Sequence, residues 1–299
     1  MHTSPESPGI LDDILSRAGP LPAVMARNGE RLRDGVIYVA PPDRHLLIEP
    51  GTVRVTKGPK EHRFRPAVDP LFRSAAQVYG PAVIGVVLTG NLDDGTAGLW
   101  AIKQLGGTAI VQDPDDAECP SMPTHALAHV DVDYIVPLAE LAPLLGQLTS
   151  RPPVERRGLV VPEHVRIETQ IAKEQNPIET GFEEVAEPSI YACPECHGVL
   201  LKLNEGDRIR FRCHTGHAYS IDSLLAAVNE GVEAALWNSV RSLEEAGLLI
   251  TNMAEHLRTI HGERSDTSRL TARADEVKTQ AETVRQLVIE REAVTVSKA

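Results

Sequence analysis

Aromatic residues are scarce: Phe, Trp and Tyr together make up 4% of the 299 residues. A recognition surface built from stacked rings is therefore not expected. Positive charge is also short. Thirty Lys and Arg stand against 42 Asp and Glu, a formal net charge of −12. That balance argues against a nucleic-acid partner or an anionic membrane surface, each of which needs a basic face. No apolar run approaches the ~20 residues of a bilayer span, so membrane insertion is not expected. The opening MHTSPESPG lacks the pattern of a signal peptide or an anchor. Cysteine is too sparse, at four in the chain, for a disulfide framework. Three of the four lie close together among histidines, which points to metal in a reducing, cytoplasmic compartment. What is present is ordinary for a folded protein: 42% hydrophobic and 24% charged residues. The length allows one sizeable core plus something smaller.

The pattern along the chain separates four regions. Residues 1–150 alternate strand-like and helix-like segments. Gly35–Ala40 (GVIYVA) reads as a buried strand, and His45–Gly58, with Pro50-Gly51 at its middle, as a hairpin. Asp69–Tyr79 has helical spacing at Leu71, Phe72, Ala75 and Val78, and stops at Gly80-Pro81. Ala82–Gly90 (AVIGVVLTG), β-branched and uncharged, has the character of a central parallel strand. Helix, strand, helix, strand, helix follow over Thr96–Leu105, Thr108–Pro114, Met122–His129, Val132–Pro137 and Leu138–Leu148. Strands alternating with helices predict an α/β fold with a doubly wound, mainly parallel sheet. Residues 151–189 read as a linker, within which the segment around Val165–Ala172 is able to pack locally. Between Glu174 and Glu187 they hold five acidic residues and no Lys or Arg. Residues 190–220 form a compact Cys/His unit. Residues 221–299 read as a helical hairpin, with Ser220 as a cap. Its apolar stripes run through Leu225, Val228, Val232, Leu236, Val240 and Leu243, then through Leu270, Ala274, Val277, Ala281, Val284 and Leu287. Mutual packing accounts for both stripes, with a helix-mediated partner as the alternative.

The Cys/His unit has the stronger chemical signature. Cys193-Pro-Glu-Cys196 is a C-x-x-C pair, and Cys213 follows after a gap of sixteen residues. His217 completes a C-x-x-x-H. The gap suits two short strands, VLLKL and RIRFR. Two knuckles at the ends of such a hairpin supply thiolates and imidazole to a tetrahedral zinc. One structural zinc on Cys193, Cys196, Cys213 and His217 is therefore expected, with no cofactor for catalysis. His214 competes for the fourth position. His217 is preferred because Gly216 permits the turn that brings its ring inward.

The second candidate is the loop Thr89-Gly90-Asn91-Leu92-Asp93-Asp94-Gly95, at the carboxyl end of the best strand, where open parallel sheets bind ligands. Read without chemistry, Asp94 or Thr96 caps the helix at Thr96–Leu105. LTGNLDDGTAG resembles the LTGMGxDGxxG segment of the chemotaxis protein-glutamate methylesterases (the CheB type). IYVAPPDRHLLIE, RPAVDPLFRSAA and PSMPTHAL are similar to other segments of that catalytic domain, in the same order. The resemblance covers residues 1–148. It implies a doubly wound α/β fold and hydrolysis of glutamate methyl esters on methylated chemoreceptors by a Ser-His-Asp triad. It assigns Asp94 as the triad aspartate, Asn91 as a backbone oxyanion-hole donor, and His2 as the general base.

The nucleophile is the departure. In that family it lies in a G-x-S-x-G-G turn preceding the histidine, and no serine of this sequence takes its place. The reading therefore expects a true start codon upstream. The alternative is a non-catalytic, zinc-containing signalling scaffold that binds a receptor or partner. The C-terminal CPECxGxL…FRCxxGHAYS is also similar to zinc-ribbon-like segments that follow methylesterase domains lacking receivers. Among the remaining candidates, His45 and His62 are expected at the surface, Arg63, Arg65 and Arg73 on a solvated face, and Cys119 inert.

Overall fold

The computed structural model describes residues 4–152, 160–205, 208–261 and 266–296. They fall into two units, divided between Leu225 and Ala226. The first begins with helix α1 (Leu11–Ala18) and strands β1 (Ala23–Met25) and β2 (Ile37–Val39), which pair in parallel. The antiparallel hairpin β3 (His45–Glu49) and β4 (Thr52–Thr56) turns at Pro50-Gly51, as the dipeptide predicts. After α2 (Val68–Tyr79), three strands pair in parallel in the order β5 (Ile84–Val87), β6 (Thr108–Gln112) and β7 (Tyr134–Val136). Helices α3 (Thr96–Gln104), α4 (Ser121–His129) and α5 (Leu138–Thr149) connect and follow them. The principal core lies between this sheet and α2, α3 and α4. Val87, Leu99, Ile102, Leu105, Ala109 and Val111 are its main members, and all are buried.

The parallel strands do not form the single doubly wound sheet expected from sequence. Among the described residues, β1–β2 and β5–β6–β7 are separate sheets. Strand β5 pairs, among the described residues, only with β6, and the Ala23 and Met25 amides of β1 donate to Ser16 Oγ (2.8 Å) and Asp12 Oδ2 (3.1 Å) of α1. Side-chain acceptors thus serve amides that a neighbouring strand would otherwise satisfy.

The stretch expected as a linker contributes structure instead. It contains α6 (Glu163–Ala172) and α7 (Phe182–Val185). Ile167, Ile171 and Phe182 are buried against Leu203 in a second small core. Helix α6 falls where the sequence allowed local packing, and Phe182 anchors the acidic stretch that follows; Glu168 of α6 is itself buried and paired.

The Cys/His region is a four-stranded antiparallel sheet, ordered β11 (Ala218–Ser220), β10 (Arg208–Cys213), β9 (Val199–Glu205), β8 (Glu187–Ala192). It joins the rest of the first unit at its β11 edge. The His62 amide donates to Ala218 O (2.9 Å), and the Ala218 amide to Lys60 O (3.1 Å).

A buried ion cluster lies along the same junction. Arg208, Arg210 and Arg212 alternate along β10 and so share one face, and this face is buried. Arg212 Nη2 reaches Glu61 Oε1 (2.9 Å) and Glu168 Oε1 (2.8 Å). Arg210 Nη1 reaches Glu168 Oε2 (2.6 Å), and Arg73 Nη2 of α2 reaches Glu61 Oε2 (2.6 Å). Burial opposes ionisation of Glu61, but Arg212 and Arg73 hold its carboxyl down at about 2. Arg73 is therefore not on a solvated face; it is 1% exposed. Arg65 is half-buried and donates to Asp43 Oδ1 (2.9 Å from Nε).

The second unit holds the long helix α8 (Ile221–His261), which starts in the first unit, and α9 (Ser268–Val296). Ser220 precedes α8 as its cap and exchanges bonds with Ser223: the Ser223 amide donates to Ser220 Oγ (3.0 Å), and the Ser220 amide to Ser223 Oγ (2.9 Å). Val240 and Ala254 are buried on α8, and Ala274, Val277, Ala281 and Val288 on α9. Leu225, Val228 and Leu287, assigned to the stripes from sequence, are exposed. Val288 replaces Leu287 because seam positions alternate steps of three and four residues. No helix among the described residues is long and apolar enough to cross a membrane.

Candidate functional site

The loop after β5 is tied down at both ends. The Thr89 amide donates to Gln112 Oε1 (2.9 Å), the Gly90 amide to Cys119 O (2.9 Å), and the Met122 amide to Gly90 O (2.9 Å). A side chain at Gly90 would have its Cβ 2.2 Å from Met122 Sδ, so the Met122 side chain packs directly on the loop backbone there. Asn91 stands exposed at the tip, and Leu92 adopts φ 63°. Gly95, at φ 94°, turns the chain into α3.

Asp94 is 1% exposed and caps a helix, though not the one its sequence position suggests. Its carboxylate accepts from the Val68 amide (2.7 Å) and the Asp69 amide (3.1 Å), the first turn of α2. The partial positive charge at that helix start favours a carboxylate there. Asp69 returns the arrangement: its Oδ1 accepts from the Gly98 amide of α3 (2.7 Å). The two helices approach closely enough that a Cβ on Gly98 would meet Phe72 Cβ at 2.4 Å. Asp94 is thereby fixed in position and rotamer, as an aspartate that orients an imidazole must be.

Sequence reasoning missed the histidine beside this aspartate pair. His62 is 1% exposed, and its ring, Asp69 and Asp94 present polar atoms within 4.8 Å of one another. His62 Nε2 donates to Asp69 Oδ2 (2.9 Å), while Nδ1 lies 3.5 Å from Asp93 Oδ1. Asp93 Oδ1 also accepts from Ser220 Oγ (2.8 Å). Burial favours a neutral ring, but Asp93 and Asp69 outweigh it and raise His62 well above the ordinary histidine value. The ring nitrogens face Asp69 and Asp93, and the Asp94 carboxylate accepts from the α2 amides, so hydrogen bonds and ion pairs within the protein account for the grouping. His45, also expected at the surface, is 0% exposed. Its Nε2 donates to Pro59 O (2.9 Å), its Nδ1 accepts from the Ala67 amide (3.3 Å), and burial lowers its pKa. His2, assigned as general base, lies outside the described residues. The only hint that sequence offered for His62 is its place seven residues before Asp69, within the segment that carries RPAVD.

An apolar cavity of about 370 Å³ adjoins the loop, lined by Val68, the end of β5 through Gly90, and Met122.

Cys193, Cys196, Cys213 and His217 come together at the ribbon end. Cys196 and Cys213 sulfurs are 3.6 Å apart, and His217 Nδ1 is 3.6 Å from Cys213 Sγ and 3.7 Å from Cys193 Sγ. A tetrahedron with ~2.3 Å metal–sulfur bonds has edges of ~3.7 Å, so these atoms can surround a zinc ion. Bonding from Cys193, His217 and Thr215 outweighs burial and draws the Cys213 thiol down to about 2. Gly216, at φ 99°, makes the turn before His217. His214 is exposed and its ring covers Gly198, and His197 is exposed.

Comparison with known proteins gives a consistent picture for the first half of the chain. A family model described as CheB methylesterase matches residues 1–145. The chain is 40% identical over 148 residues to a putative protein-glutamate methylesterase/protein-glutamine glutaminase of Leptospira interrogans, covering 49% of this chain and 77% of that protein. A protein-glutamate methylesterase/protein-glutamine glutaminase 1 of Paramagnetospirillum magneticum is 38% identical over 146 residues, 48% of this chain and 38% of that one. Among solved structures, the Thermotoga maritima CheB methylesterase catalytic domain is 32% identical, with a TM-score of 0.47, over 49% of this chain and 80% of that chain.

The His62 cation is directly testable. A raised folded-state pKa stabilises the fold fully below the unfolded value of ~6.5, and this contribution is lost as pH rises through the folded value. Nitrogen NMR of the ring should show His62 doubly protonated at pH 7.5, with His45 neutral and carrying its proton on Nε2. A neutral His62 at that pH would contradict the ion pairs.

Proposed function

The chain belongs to the CheB methylesterase family, and on that premise we propose that it is a carboxylic ester hydrolase of chemotaxis-type signalling. Its proposed substrate is a methylated glutamate on a chemoreceptor or a similar protein. The observation that carries this reading is the fixed, buried carboxylate of Asp94 on the loop at the carboxyl end of β5. In the proposed mechanism Asp94 accepts the ring N–H of His2, which orients the imidazole and stabilises its protonated form. His2 takes the proton of a serine hydroxyl as that oxygen attacks the ester carbonyl. The proton then goes to the departing methanol, and water repeats the sequence to release the free carboxylate. The Asn91 backbone amide contributes to stabilising the carbonyl oxygen as it gains charge.

The serine is the part these 299 residues do not supply. The reaction needs a strand and G-x-S-x-G-G turn placed beside the β5 loop. The unpartnered edge of β5 and the apolar cavity beside it favour such a strand. The match to methylesterases favours hydrolysis over a purely scaffolding role, and a reducing, cytoplasmic setting suits the reduced cysteines.

With a frame extended to include that turn, methanol release from a methylated receptor fragment should be measurable. Asp94→Asn should lower turnover by about 10⁴-fold, through the wrong tautomer of His2. Unchanged turnover would count against the assignment.

We further propose that Cys193, Cys196, Cys213 and His217 hold one structural zinc. Bound there, the ion supplies folding energy and no chemistry toward the substrate. Protein purified without chelator should contain about one zinc per chain. Cys193→Ser should lose the metal and loosen the ribbon; a metal-free wild-type protein would refute the site.

A further inference from the structure

Within the second unit, helix α8 carries two apolar seams, and α9 covers one of them. Along the covered seam Val240 and Ala254 are buried, and Leu243, Gly247, Ile250 and Leu257 are half-buried. A Cβ on Gly247 would stand 3.8 Å from Ala274 O of α9. Steps of four and three residues give this seam a seven-residue repeat. The second seam keeps the same repeat in another register. It starts at Val228 and Val232 and ends at Leu249, Met253 and Ile260. Val228, Met253 and Ile260 are exposed, and Leu249 is 64% exposed. The middle of this open seam is made of small residues: Ala235, Ser239 and Ser242 are exposed, and Ala246 is half-buried.

Charge is missing from the open seam. From Val228 to Ile260 no Asp, Glu, Lys or Arg occupies one of its positions. A helix that faces water normally carries charge on its outer side. Helix α9 does so, with Arg269, Arg273, Glu276, Lys278 and Glu282 all exposed. The two serines of the open seam are also ready for burial. Ser239 Oγ donates to Ala235 O (2.9 Å) and Ser242 Oγ to Asn238 O (2.9 Å). Covering them therefore traps no unmet donor.

We propose that this face is an interface between two copies of the chain, in which the two α8 helices run antiparallel about a two-fold axis near Glu244. The order of side-chain sizes along the seam selects that partner. A two-fold axis sets each residue opposite one equally far beyond the axis. Ala235 then faces Met253 of the second copy, Ser239 faces Leu249, Ser242 faces Ala246, and Val228 faces Ile260. The small half of one seam receives the large half of the other. A parallel pair would instead stack Ala235, Ser239, Ser242 and Ala246 each on its own counterpart, and successive thin layers pack poorly. Glu245, which flanks the axis, is already paired with Arg241 of its own helix (3.3 Å). The seam is ~50 Å long. Two such faces bury on the order of 1,500 Å² together, the size of a stable interface. The proposal rests on the helical unit and does not depend on the esterase reading.

Sedimentation equilibrium of the full chain tests it, and should show a dimer at micromolar concentration that dissociates on dilution. Leu249→Glu, at an exposed position, should leave the circular dichroism unchanged and weaken dimerisation by about 100-fold. Ala235→Met should weaken it about tenfold, by overfilling the layer that Met253 shares. Adding Met253→Ala should restore the dimer, because each layer again holds one large and one small residue. A monomeric wild-type chain at these concentrations overturns the proposal. So does a dimer that Leu249→Glu leaves intact, or a double variant that associates no more tightly than Ala235→Met alone.

Discussion

Five carboxylates and five cations share one layer of the first unit: Glu61, Asp69, Asp93, Glu168 and Glu205 against His62, Arg73, Arg208, Arg210 and Arg212. All but Asp93 are buried. Taking any one of these charges out of water costs several kcal/mol, and only close, well-directed partners recover that cost. Asp93 of the loop before α3 aside, the partners come from three places that sequence keeps far apart: the segment after β4 with α2, helix α6, and strands β9 and β10. Removing any of the three leaves the others with uncompensated buried charge. The α/β layer, the helix within the acidic stretch and the ribbon are therefore one folding problem, even though composition suggests a domain, a linker and a separate unit.

The same charges set the geometry of the candidate site. Asp94 is held by the start of α2, and α2 is anchored through Arg73 to Glu61. Asp69, one residue into α2, binds His62 on one oxygen and the α3 backbone on the other. His62 and Ser220 in turn hold Asp93, the neighbour of Asp94. A carboxylate that orients a catalytic imidazole gains from this rigidity, because its direction is fixed before substrate arrives.

Much of the fold was legible in the sequence. The β-branched run of β5, the Pro50-Gly51 turn and the glycine stops after α2 and α3 each carry a local signal that tertiary packing did not override. The gathering of Cys193, Cys196, Cys213 and His217 was legible for the same reason, since their short intervals bracket a hairpin. The buried charges were not. His62 and Arg73 read as surface residues, because a charge is normally priced as exposed. Partners both near, such as Glu61 for Arg73, and distant, such as Arg212 for Glu61, reverse that expectation. The split of the parallel strands was hidden too, since strand patterns predict pairing type but not which edges meet. The placement of Asp94 was half legible: its loop was found, but the helix it caps is a different one.

The central claim is that the ion cluster makes the ribbon and the α/β layer one cooperative body. Native-state hydrogen exchange measures this most directly, by comparing the opening free energies of amides on β10, such as Ile209 and Phe211, with those of α2 around Arg73 and Ala76. Equal free energies with the same denaturant dependence are predicted, because neither element can open without exposing the charges of the other. A β10 that opens at far lower free energy, while α2 stays protected, would contradict the account.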